Sequence, residues 1–68
     1  MTIAELRENK LLTMREAAVA VGVTERTWWS WENSYVYPSV RHRRAIADYF
    51  KVEHGDVEWP IVRTKLKD

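Results

Sequence analysis

Residues 14–33, MREAAVAVGVTERTWWSWEN, constrain this chain more than any other stretch, because two helical patterns meet there across a break of only Gly22-Val23-Thr24. Thr13, with Glu16 three residues on, forms a capping box in which hydroxyl and carboxylate satisfy backbone N–H groups that lack an intrahelical partner, so a helix should begin at Met14. Gly22 tolerates the left-handed conformation that ends a helix, and Thr24 offers a side-chain oxygen to cap the next one. Two helices joined this tightly must cross. Ala17, Ala18, Val21, Val23, Trp28 and Trp31 recur at the spacing where such helices touch each other and the rest of a core. Ala18 stands at the crossing, where a larger side chain would push the helices apart. The pattern is that of a helix-turn-helix.

A chain of 68 residues makes one small domain, which buries only about 60% of its unfolded surface and is marginal without help. No cysteine is present for a disulfide or a thiolate metal site, so the remaining staples are dense packing, favoured by four tryptophans, and oligomerisation. No apolar run reaches the roughly 18 residues that span a bilayer, and the N-terminus lacks a signal-peptide pattern, which together predict a cytoplasmic protein. The net charge of +1 does not by itself argue for nucleic acid. Its distribution does more: Arg41, Arg43 and Arg44 cluster around His42.

In chain order, Thr2 should cap a first helix, Ile3–Asn9, with Ile3 and Leu6 on one face and Leu12 extending that face into the loop. The two central helices follow, over Met14–Val21 and 25–33. Residues 34–38 form a loop holding Tyr35, Val36 and Tyr37, and Pro38 with Ser39 sets up a fourth helix, Val40–Phe50, that points Val40, Ile46, Ala47 and Phe50 inward. Arg43, one turn before Ile46, should cover apolar surface with its stem. A weaker fifth helix is expected over 53–58, and residues 60–68 read as a tail, extended or dimerising. The expectation is an all-α bundle of about five short helices over 1–59.

The chain resembles the Cro and repressor class of helix-turn-helix proteins, the XRE family. The likeness runs without gaps from Leu6-Arg7-Glu8-Asn9 through Trp31-Glu32-Asn33 and on through Pro38-Ser39 into the fourth helix. The resemblance implies a lambda-repressor-like fold that binds double-stranded operator DNA, commonly as a homodimer, with the second helix of the motif in the major groove. It places Glu25, Arg26 and Ser30 at the bases; Trp29 projects to a flank of the same helix, where a thymine methyl or sugar, Tyr35 or Tyr37, and a dimer contact are the alternative partners. Arg26 there donates two hydrogen bonds to guanine O6 and N7, and Glu25 accepts from cytosine N4. Phosphate contacts fall to Arg7, Thr13, Asn33, Tyr35, Tyr37, Arg41, Arg43 and Arg44, and Arg7 with Glu32 matches a pair that forms a structural ion pair in relatives. Ala18, Gly22, Val23, Trp28 and Trp31 are the motif's structural core. Three positions depart from the family pattern: Met14 replaces a glutamine, Leu11 replaces a glycine, and the 34–38 loop is aromatic rather than basic.

These readings favour a small sequence-specific repressor or autoregulator of phage or mobile-element type, occupying a palindromic site as a dimer; a restriction-modification controller belongs to the same class. A protein-binding module, an antitoxin or antirepressor using Trp29, Tyr35, Tyr37 or residues 57–68, is the alternative. An enzyme is not expected, nor any cofactor or metal. His42 and His54 are twelve residues apart without metal-ligand spacing, and there is no glycine-rich phosphate loop. His42 should lie on a solvated or phosphate-facing surface and His54 in a turn before Gly55.

Overall fold

The computed structural model describes residues 1–60, so the expectations for a C-terminal tail fall almost wholly outside the described residues. Four α-helices follow one another: α1 (Ile3–Asn9), α2 (Met14–Val21), α3 (Glu25–Glu32) and α4 (Val40–Phe50), then a single 3₁₀ turn at His54–Asp56. The architecture is an all-α bundle, and among the described residues there is no strand beyond one isolated parallel bridge between Thr2 and Glu58.

Each helix begins where a side-chain oxygen caps it. Thr2 and Thr13 complete capping boxes with Glu5 and Glu16, while Thr24 and Ser39 accept from the backbone N–H groups of Thr27 and His42. Each helix also ends in the same way. The N–H groups of Leu12, Val23, Tyr35 and Val52 reach back five residues to the carbonyls of Arg7, Ala18, Ser30 and Ala47. The residues that make these reversals, Leu11, Gly22, Ser34 and Lys51, all have positive φ. No atom lies within 4 Å of where a Cβ on Gly22 would stand, so its φ of +83°, rather than crowding, is what calls for glycine.

The core gathers Ile3 and Leu6 of α1, Ala17 and Ala18 of α2, Trp28 and Trp31 of α3, Ile46 and Phe50 of α4, and Val57. Val23 is partly buried against it, as are Leu12, Met14 and Trp59. Trp28 and Trp31 are fully buried, their rings 5.7 Å apart, with Phe50 6.3 Å from Trp28. Burying an aromatic side chain withdraws more apolar area from water than any aliphatic one, which suits a domain this small.

Three local expectations give way. The fifth helix contracts to the turn at His54–Asp56, because Val57 turns extended and carries Glu58 to Met1, whose carbonyl accepts from the Glu58 N–H at 2.7 Å. Val57 is thereby buried in the core. Val40, expected inward, is 58% exposed, since the first residue of α4 precedes the stretch that meets the core. His42 is not simply solvated: its ring lies 5.2 Å from that of Trp31 and its Nδ1 is 3.1 Å from the Ser39 hydroxyl.

Candidate nucleic-acid interface

Helix α3 has an inner and an outer side. On the inner side, the Glu32 carboxylate joins α3 to α1. Its Oε2 accepts from Arg7 Nε at 2.6 Å and from the Trp28 indole N–H, and its Oε1 accepts from Arg7 Nη2 at 3.2 Å. Arg7 Nη1 also donates to the Leu12 carbonyl at 3.0 Å. The side chains of Arg7 and Glu32 are only 14% and 6% exposed, so this is a nearly buried, two-pronged ion pair. The hydrogen bond to Glu32, aided by the charges of Glu32 and Glu8, holds the Arg7 guanidinium above its ordinary pKa against the opposing effect of burial. Three of its five N–H groups are committed within the protein, so the phosphate role expected of Arg7 is left with at most two.

The outer side carries Glu25, Arg26, Trp29, Ser30 and Asn33. Glu25 and Arg26 are exposed and form no side-chain hydrogen bond or salt bridge among the described residues. Trp29, 44% exposed, stacks on Tyr35 with ring centroids 5.4 Å apart and planes 16° from parallel. The Ser30 hydroxyl donates back to the Arg26 carbonyl at 3.0 Å, and the Asn33 amide donates to the Trp29 carbonyl at 2.9 Å. Both side chains are therefore shortened in reach, Asn33 keeping one N–H. Thr13, exposed at the start of α2, keeps its hydroxyl proton free while its oxygen caps the helix.

The three arginines of α4 separate once folded. Arg43 turns inward, its guanidinium 4.8 Å from the Tyr37 ring, donating to the Pro38 carbonyl at 2.6 Å and to His54 Nε2 at 3.2 Å. Its charged end, rather than the stem the sequence suggested, is what lies on an aromatic ring. Arg44 lines a cleft with Val40, Asp48, Val52 and His54. Arg41 and Arg44 are both exposed and make no side-chain hydrogen bond or salt bridge among the described residues. The run in the sequence is thus divided, with Arg43 turned inward and Arg41 and Arg44 left exposed.

One residue of the outer surface is weighed in the sequence only as a departure from a family pattern. Met14, the first residue of α2, shares a cleft with Glu25, Arg26 and Trp29. Its signal in the sequence is positional: the starts of two crossed helices face the same way. Among the described residues no three His, Cys, Asp or Glu side chains converge on a metal site, and no helix is long and apolar enough to cross a membrane. No protein-family profile, curated protein or solved structure matches the chain.

Proposed function

We propose that the protein is a sequence-specific double-stranded DNA-binding regulator that inserts α3 into the major groove and represses transcription by occupying its operator, most simply as a dimer. The observation that carries this reading is the asymmetry of α3. Trp28, Trp31 and Glu32 are consumed by the fold, while Glu25 and Arg26 at its N-terminal end stand exposed with no side-chain hydrogen bond or salt bridge among the described residues. An arginine so placed is suited to the two acceptors of guanine, and helix width to the major groove. Thr13, Asn33, Tyr35, Tyr37, Arg41 and Arg44 are all exposed and are the candidates for the phosphates. About four to six phosphate contacts would give a steep salt dependence, near 0.9 per neutralised phosphate in log–log slope.

The stacked, exposed Trp29–Tyr35 pair supports a second reading, a protein-binding module, since exposed aromatic surface of this kind marks interfaces. Selection of bound duplexes from a random pool at moderate salt separates the two. Enrichment of a discrete site supports the DNA reading, and footprinting then shows whether half-sites lie about one DNA turn apart, as a dimer requires. Failure to enrich any sequence overturns it.

A further inference from the structure

The cleft between the starts of α2 and α3 has a volume of about 410 Å³ and is lined by Met14, Glu25, Arg26 and Trp29. Its walls are chemically unlike one another: a thioether and an indole face the same space as a carboxylate and a guanidinium. The fold does not use this combination, because neither charged group is paired among the described residues and Trp29 keeps 44% of its surface exposed. Any occupant must therefore offer an apolar surface, a donor for the carboxylate and acceptors for the guanidinium, all within a few ångströms.

Base-pair edges in the major groove offer that set in one arrangement. Guanine presents two acceptors, cytosine presents an N4 donor, and the only apolar group on any edge is a methyl at pyrimidine C5. We propose that the cleft reads a C5-methylated pyrimidine standing beside a guanine, with the methyl against Met14 and Trp29 and the guanine O6 and N7 held by Arg26. The inference rests on the DNA-binding reading and sharpens it to a base step. Two bases carry the methyl, thymine and 5-methylcytosine, and Glu25 separates them. Its carboxylate accepts from the N4 amino group of 5-methylcytosine and faces the O4 acceptor of thymine unfavourably. The order imposed is 5-methylcytosine above thymine, and each above its unmethylated counterpart, cytosine or uracil.

The test takes the full chain and a duplex enriched from the random pool. Each pyrimidine that neighbours a guanine is made in turn as cytosine, 5-methylcytosine, uracil or thymine, and binding is followed by fluorescence anisotropy. Within each pair only a methyl changes. The expected result is one pyrimidine per half-site at which removing the methyl weakens binding about fourfold, the effect of burying one such group, with 5-methylcytosine tighter than thymine. In Trp29→Ala, shown folded by circular dichroism, that ratio should fall to near one. A ratio of one at every pyrimidine in the unaltered protein overturns the proposal, as does an enriched site with no pyrimidine beside a guanine or a ratio that survives in folded Trp29→Ala. Thymine binding tighter than 5-methylcytosine overturns the part given to Glu25. A pool that enriches nothing is a different failure, which removes the DNA reading itself and the base step with it.

Discussion

The inner and outer sides of α3 are built from the same residue type and serve opposite ends. Trp28 and Trp31 face the core with almost no exposed surface, and the indole N–H of Trp28 is taken by Glu32. Trp29, between them in sequence, is turned about 100° around the helix and stacks on Tyr35. On the inner side Arg7, Glu32, the Trp28 N–H and the Leu12 carbonyl form one connected set. On the outer side the charged groups are unmatched. A side chain's place around the helix, rather than its identity, decides whether it stabilises the fold or is left for a ligand.

The sharpest way to break this contrast is to truncate one tryptophan on each side. Trp31→Ala should destabilise by about 3 to 5 kcal/mol, the cost of emptying a large core position. Trp29→Ala should lose no more than the roughly 0.5 to 1.5 kcal/mol of an aromatic stack. Urea denaturation followed by circular dichroism measures both, and equal losses would erase the distinction between the sides. Next in size is Glu32→Ala, which strands the Arg7 guanidinium and the Trp28 N–H together. Removing one partner of a buried pair costs about 3 to 5 kcal/mol, and the slight exposure of Arg7 places this case near the lower end. Because the folded-state pKa of Arg7 is raised, its contribution is fully present below the unfolded-state value and is lost only as pH rises through the folded one. That window is strongly alkaline, so the Arg7 contribution should not vary between pH 6 and 9.

On the outer side the expected effect moves from stability to binding. Arg26→Ala should leave the denaturation midpoint unchanged and lose about 1 to 3 kcal/mol of discrimination at one or two base pairs of the selected site. Competition binding with single-base variants reads this directly. An equal loss across all sequences would make Arg26 a phosphate contact and blur the line between it and the rim.

What the sequence displays of this contrast depends on how local the cause is. Helix starts are legible, because Thr2, Thr13, Thr24 and Ser39 act on N–H groups two or three residues away, and all four cap as expected. The i to i+3 spacing of Trp28 and Trp31 likewise identifies the inner side. Helix ends are less so: the four left-handed reversals are equivalent in geometry, yet only Gly22 announces one, while Leu11, Ser34 and Lys51 adopt it without a residue that favours it. Contacts between distant segments leave no local mark at all. The Glu58–Met1 hydrogen bond that straightens the expected fifth helix, the seat of His42 on Trp31, and the inward turn of Arg43 each depend on where another element lies. The candidate interface was legible in Glu25, Arg26 and Trp29, whereas Met14 joins it only through the crossing of α2 and α3.

The smallest expected effect tests how the inner side is assembled. Leu11 holds φ at +58° while 89% of its surface is exposed, so its side chain adds strain and buries almost nothing. The turn it makes brings the Leu12 carbonyl to Arg7, which ties this strain to the ion pair on Glu32. A left-handed conformation costs a non-glycine residue roughly 1 to 2 kcal/mol, and glycine gives back about 0.5 to 1 kcal/mol through the freedom it gains when unfolded. Leu11→Gly should therefore stabilise the protein by about 0.5 to 1 kcal/mol, whereas Gly22→Ala, at the equivalent turn with open space for a methyl, should destabilise it by a similar amount. Thermal melts of the two variants should move in opposite directions. If both move down, the Leu11 side chain holds the turn through contacts that outweigh its backbone strain, and the Arg7 network depends on that residue as well as on the path of the chain.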